Sequence, residues 1–113
     1  MNPILAICFS ALFIVPVVFA DEVTPIDKLE RGMSAMIKGE VTRILDEDEF
    51  RIQDKTGSIR VYIGWKNRVL IPIGEKISVR GFVDDDLDSY FRPEFYAFEI
   101  IREDGAVIKL NQE

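Results

Sequence analysis

Histidine is absent from this 113-residue sequence, and cysteine occurs once, at Cys8. The lack of histidine excludes His-based catalytic triads, His metal ligands and the side chain whose ordinary pKa lies nearest neutrality. A lone cysteine cannot close an intramolecular disulfide, and it cannot supply the thiolate clusters of zinc or iron–sulfur sites. No other catalytic constellation is recognisable, so we expect a protein that is not an enzyme and that carries no metal and no cofactor.

The first twenty residues contain no charged side chain. Their apolar run, Ile4 to Phe19, is short for a membrane-spanning helix and contains Pro16. It ends in Val18-Phe19-Ala20, followed at once by two acidic residues, which is typical of a signal-peptidase site. We therefore predict a secretory signal peptide at residues 1–20 and no stable membrane insertion after its cleavage. Because no Lys or Arg precedes the apolar run, an uncleaved N-terminal anchor is the alternative.

All 14 basic and 20 acidic side chains lie in residues 21–113, for a net charge of −6. This length predicts a single domain. The segment contains no cysteine, so its core has to rest on a compact and well-closed sheet.

The stretch Phe50 to Ile63 alternates apolar and polar residues on both sides of a short turn. This period of two predicts two half-buried antiparallel strands. In the turn between them, the Asp54 carboxylate is expected to accept backbone N–H groups. Gly57 is expected to adopt a left-handed conformation that closes the hairpin with a bulge.

The other elements are predicted in the order helix, long strand, hairpin, connector, strand, loop, strand. The helix covers Thr24 to Gly32, and the long strand contains Gly39 at a bend or close contact and a bulge near Thr42 or Arg43. The predicted strands outside the hairpin are Ser34 to Leu45, Lys76 to Val83, Phe95 to Ile101 and a short tail strand, Ala106 to Leu110. This order favours an all-β fold, a five-stranded OB-type Greek-key barrel with a short N-terminal helix, with an SH3-like barrel as the alternative.

One ordered pattern runs through most of the stretch from Thr24 to Arg102. Its residues are Ile37, Gly39, Val41, Phe50, Ile52, Asp54, Thr56, Gly57, Ile59, Val61, Trp65, Val79, Gly81 and Val83. This pattern resembles the bacterial OB-fold (BOF) family of the YgiW/YdeI type. The resemblance implies a small periplasmic protein associated with tolerance of envelope and oxidative stress, and it transfers no catalytic residue.

The binding face of OB domains lies on strands two and three, between the first and fourth hairpin loops. The predicted ligand-binding residues on and beside this face are Arg51, Arg60, Tyr62, Arg80 and Phe82. The loops that flank it form a predicted acidic rim, which consists of Asp46, Glu47, Asp48, Glu49, Asp84, Asp85, Asp86 and Asp88. The arginines either contact a ligand or pair with these carboxylates, and the sequence leaves both interpretations open. The rim is expected either to attract cationic partners, such as a basic peptide or a basic protein, in a salt-dependent way, or only to keep the protein soluble, and the sequence leaves both open.

These features predict a non-enzymatic periplasmic binding module for an envelope saccharide or peptide, acting in stress tolerance. Single-stranded nucleic-acid binding is one alternative, but the net charge of −6 and the acidic loops oppose it. The other alternative is an assembly module, in which the aromatic segment Phe95 to Phe98 pairs edge to edge or docks on a partner protein.

Overall fold

The computed structural model describes residues 22–85 and 93–111. The predicted signal peptide lies outside these residues, as do Asp86 and Asp88 of the predicted rim. The structure consists of a one-turn 3-10 helix, Ile26–Lys28, and six strands: β1 Ser34–Asp46, β2 Glu49–Asp54, β3 Gly57–Tyr62, β4 Lys76–Val83, β5 Glu94–Ile101 and β6 Val107–Lys109.

Strands β1 to β5 close into a barrel. The long strand β1 pairs antiparallel with β4 along its first half and with β2 along its second half. Strand β5 pairs antiparallel with β4 and parallel with β3, and this parallel pairing completes the closure. The predicted all-β barrel is therefore confirmed as a closed five-stranded mixed barrel. The predicted bulge is confirmed as well, because the β1–β2 register shifts between Val41 and Arg43.

The core lies inside this barrel and follows the alternation of each strand. Inward-facing aliphatic and aromatic side chains of all five strands meet there, and Ile26, Ile63 and Ile71 join them from outside the strands. The buried core residues are Ile26, Ile37, Val41, Phe50, Ile52, Ile59, Val61, Ile63, Ile71, Ile77, Val79, Val83, Phe95, Ala97 and Ile100.

The predicted helix from Thr24 to Gly32 is wrong, because only Ile26–Lys28 are helical and Leu29 is already extended. The reason is tertiary. The backbone N–H of Ile26 donates to Asp54 Oδ2 at 3.0 Å. The backbone N–H of Asp27 donates to Thr56 Oγ1 at 3.1 Å. Both donors are thus bound by the β2–β3 turn rather than by a local cap, and so short a helix has little stability of its own. Within residues 22–85 and 93–111, no helix has the length and apolar character needed to cross a membrane.

The β2–β3 turn differs from the prediction at Gly57. This glycine does not have a positive φ, and the β2–β3 pairing runs without a bulge as far as the Asp54–Gly57 pair. The predicted role of Asp54 is confirmed, since its Oδ1 accepts the backbone N–H groups of Thr56 at 2.7 Å and Gly57 at 3.0 Å. The carboxylate closes the turn itself, so a left-handed residue is not required.

The aromatic segment Phe95 to Phe98 is not a free sheet edge. Phe95 pairs with Val61 on one side and with Val83 on the other. The edge-to-edge pairing considered for this segment is therefore wrong, because its backbone groups are already bonded within the barrel wall.

Candidate binding face and acidic rim

A row of four aromatic rings crosses the outer surface of β3, β5 and β4. In the strand register, Tyr96 of β5 lies opposite Tyr62 of β3 and opposite Phe82 of β4. Ring centroids are 5.6 Å apart for Tyr62–Tyr96, 5.2 Å for Phe82–Tyr96 and 5.4 Å for Phe82–Phe98. These distances lie within the range of favourable aromatic pairs. We call Tyr62, Tyr96, Phe82 and Phe98 the aromatic row.

Two of these rings, Tyr96 and Phe98, are missing from the ligand-binding residues predicted from the sequence. In the barrel, β5 lies between Tyr62 of β3 and Phe82 of β4. The alternation of β5 could have shown that Tyr96 and Phe98 face outward. It could not have shown that they join Tyr62 to Phe82, because this depends on the parallel pairing of β3 with β5.

The predicted arginines flank the aromatic row and are held by other polar side chains. Arg60 Nη1 lies 3.3 Å from Glu49 Oε2, and Arg80 Nε lies 3.1 Å from Glu99 Oε1. Arg51 is opposite Arg60 in the register, and its Nη1 donates to Ser58 Oγ at 3.1 Å. Arg60 thus pairs with a carboxylate of the acidic rim, which is one of the two interpretations left open by the sequence. Arg80 pairs with a residue outside the rim. These pairs fix the guanidinium groups beside the rings.

The two acidic segments approach each other at Glu94, a residue that sequence reasoning missed. The β1–β2 hairpin carries Asp46 to Glu49 at its tip, and the segment after β4 begins with Asp84 and Asp85. The Glu94 carboxyl is hydrogen-bonded to Glu49, and the charge of Asp84 also acts on it. The backbone N–H of Asp84 donates to the Glu94 carbonyl at 2.9 Å, which holds this segment in place. Glu49 and Asp84, one from each acidic segment, therefore both lie near Glu94.

Burial raises the pKa of Glu94 to about 7, and the hydrogen bond and negative charge of Glu49 act in the same direction. Asp84 adds to this effect, and Arg60 opposes it. Near pH 7 the Glu94 carboxyl is therefore protonated part of the time, whereas an ordinary glutamate would be ionised.

The raised pKa of Glu94 gives a testable pH dependence. The pKa of Glu94 in the folded protein lies above its ordinary value of 4.5. The stability that protonated Glu94 contributes is therefore fully present below pH 4.5 and is lost as the pH rises through about 7. After allowance for solvent screening, we expect the free energy of unfolding to fall by on the order of 1 kcal/mol between about pH 5 and about pH 8. Urea denaturation at the two pH values measures this change.

The matched variants are Glu94→Gln, which removes the titration, and Glu30→Gln, which removes an exposed acid elsewhere. The pH dependence should be smaller in Glu94→Gln and unchanged in Glu30→Gln. Equal slopes in all three proteins would contradict the assignment to Glu94.

Comparison with protein-family models gives no match, and comparison with curated proteins gives none either. Among solved structures, the chain is similar to that of the hypothetical protein ygiW from E. coli, with a TM-score of 0.60 and 22% sequence identity. The match covers 72% of this chain and 89% of that chain. At this identity the similarity establishes the fold alone, so the function has to be argued from the residues of the candidate site. The resemblance to YgiW/YdeI-type proteins is thus confirmed at the level of the barrel fold.

Proposed function

We propose that this protein is a non-enzymatic periplasmic binding module that holds an envelope saccharide on the aromatic row and acts in stress tolerance. The observation that carries this proposal is the continuous row of four rings, with centroids 5.2 to 5.6 Å apart, on the outer face of β3, β5 and β4. A Greek-key barrel of the OB type is part of the proposal. It is supported by the strand order β3-β2-β1-β4-β5, closed by a β3–β5 pairing.

The chemistry of the row suits a sugar chain. A pyranose ring has an apolar face, which packs on an aromatic ring, and a rim of hydroxyl groups, which need hydrogen-bond partners. Here the rings are flanked by polar groups that are already fixed, the Arg60–Glu49 and Arg80–Glu99 pairs. A fixed donor or acceptor loses little conformational freedom on binding, which favours affinity. OB domains include oligosaccharide binders.

Single-stranded nucleic acid would use the same rings but needs a positively charged groove. The carboxyl pair Glu49–Glu94 lies at one end of the row, and the chain carries a net charge of −6. Both features oppose a polyanion, so a neutral or zwitterionic saccharide is the better candidate.

Removal of the central ring tests the proposal. Tyr96 contacts both Tyr62 and Phe82, so Tyr96→Ala interrupts the row. We expect this variant to bind soluble peptidoglycan fragments about tenfold more weakly than the wild type, the effect of losing a stacked ring. Isothermal titration calorimetry gives the dissociation constants, and circular dichroism checks that the variant is folded.

Trp65→Ala is the matched control, since Trp65 is a 65% exposed aromatic residue on the connector after β3 and is not one of the four rings of the row. It should bind as the wild type does. No binding by the wild type, or equal loss in both variants, would overturn the aromatic row as the saccharide site.

A further inference from the structure

A concave surface, separate from the aromatic row, lies where the β1–β2 turn meets the connector between β3 and β4. It encloses about 470 Å³ and is lined mainly by apolar side chains. Phe50, Ile63 and Ile71 line it as buried core residues. Ile44 and Leu70 also line it but remain exposed, at 49% and 89%. We call this surface the apolar groove. Its exposed aliphatic side chains have no structural role in the core.

Three carboxylates also line the apolar groove, from Asp46, Glu47 and Glu49. None of the described residues that line it is basic. Just outside, Arg68 Nη1 lies 3.5 Å from Glu47 Oε1, and both side chains are largely exposed. Such a pair is weak and is easily replaced by another cation. The groove thus combines an apolar surface with three carboxylates, of which Glu47 has only this weak, exposed ion pair.

This combination selects among possible occupants. A second copy of this chain would bring two acidic surfaces together at a net charge of −6 each, which disfavours association. The apolar residues 1–20 of this chain contain no Lys or Arg to complement the carboxylates. A fitting occupant carries an apolar side chain and positive charge close together.

We propose that the apolar groove binds a basic amphipathic peptide segment in which a large apolar side chain is flanked by Lys or Arg. The apolar side chain packs between Ile44 and Leu70, which removes exposed hydrocarbon from water. The flanking cations meet Asp46 and Glu47. Glu49 contributes less, because it already pairs with Arg60. The same carboxylates accelerate the encounter with a cationic peptide, and salt screens this effect.

A peptide of four lysines around one central phenylalanine is the probe. Two further peptides serve as controls: one replaces the phenylalanine with alanine, and the other replaces the lysines with glutamates. Calorimetric titration at low ionic strength should detect binding of the first peptide alone. Added salt should weaken this binding.

Variants of the protein separate the apolar and charged contributions. Leu70→Ser should weaken binding of the phenylalanine peptide about tenfold, because it removes apolar contact. Val107→Ser is the control, since Val107 is 52% exposed on β6 and does not line the groove. Glu47→Gln should weaken binding and reduce its salt dependence. Arg68→Gln should strengthen binding, because it releases Glu47 from its present partner.

The outcomes also separate the apolar groove from the saccharide site, since Tyr96→Ala should bind the peptide as the wild type does. Equal binding of the alanine and phenylalanine peptides would overturn the proposal in favour of charge attraction alone. An unchanged affinity in Leu70→Ser would overturn it too. Self-association in light scattering that Leu70→Ser abolishes would identify a second copy as the occupant instead.

Discussion

Replacing Gly81 with alanine is expected to lower the free energy of unfolding by several kcal/mol, on the order of 3 or more. A Cβ at this position would overlap the carbonyl oxygen of Tyr96 and would lie 2.9 Å from Phe95 Cε2. Both neighbours belong to β5, and the β4–β5 register shifts between Arg80 and Gly81, so the backbones are closely apposed here. The added methyl group can be accommodated only if β4 and β5 separate. Urea denaturation followed by tryptophan fluorescence measures the loss.

Gly57→Ala provides the matched control. Its added Cβ would meet Ile26 Cγ2 at 3.8 Å, an ordinary van der Waals contact, and Gly57 does not have a positive φ. The alanine should change the free energy of unfolding by less than about 1 kcal/mol, in either direction. Similar unfolding midpoints for the two variants would show that β4 and β5 are not as closely packed as described.

Replacing Asp54 with alanine is expected to lower the free energy of unfolding by about 2 to 4 kcal/mol. Its carboxylate accepts four hydrogen bonds: from the backbone N–H groups of Ile26, Thr56 and Gly57, and from the Thr56 hydroxyl. One side chain therefore closes the β2–β3 turn and attaches the 3-10 helix to it. Alanine would leave three partly buried N–H groups without this acceptor. Chemical denaturation near neutral pH provides the measurement.

Acid titration gives an independent check on Asp54. Burial raises the pKa of its carboxyl, but the hydrogen bonds from Thr56, Ile26 and Gly57 together outweigh burial and hold the pKa below 3.8. The stability that the ionised form contributes is present above that value and is lost as the pH falls through the folded-state pKa. Asp54→Asn should remove this part of the acid destabilisation. An acid unfolding curve with the wild-type shape in Asp54→Asn would contradict the assignment.

Local patterns predicted the strands well, because alternation within one strand determines which side chains it buries. The alternation of Phe50 to Ile63 and of Lys76 to Val83 corresponds to β2, β3 and β4. Gly39 was predicted at a bend or close contact, and its added Cβ would indeed overlap the Gln53 carbonyl of β2. A contact of this kind is imposed by the neighbouring strand, but the unusual residue that permits it is visible in the sequence.

Features that depend on several distant segments could not be predicted. The environment of Glu94 is built from Glu49, Arg60 and Asp84, which belong to three other parts of the chain. The apolar groove was equally hidden. The predicted bulge near Thr42 is present, yet the sequence does not show that Ile44 stays 49% exposed and lines a groove with Leu70. Secondary-structure propensity and local alternation predict neither site, because each is formed by residues that are not consecutive in the sequence.

The parallel pairing of β3 with β5, here called the seam, closes the barrel. The aromatic row and the apolar groove depend on this closure to different extents. The seam pairs Arg60 with Glu94, which are far apart in the sequence. Forming such a pairing costs loop-closure entropy during folding. The aromatic row straddles the seam, since Tyr62 and Tyr96 stand on opposite sides of it. The apolar groove is lined by residues between Ile44 and Pro72 alone, all on one side. A local opening of the seam would thus separate the rings of the aromatic row but leave the apolar groove intact. Saccharide binding would then require the closed barrel, whereas peptide binding would not.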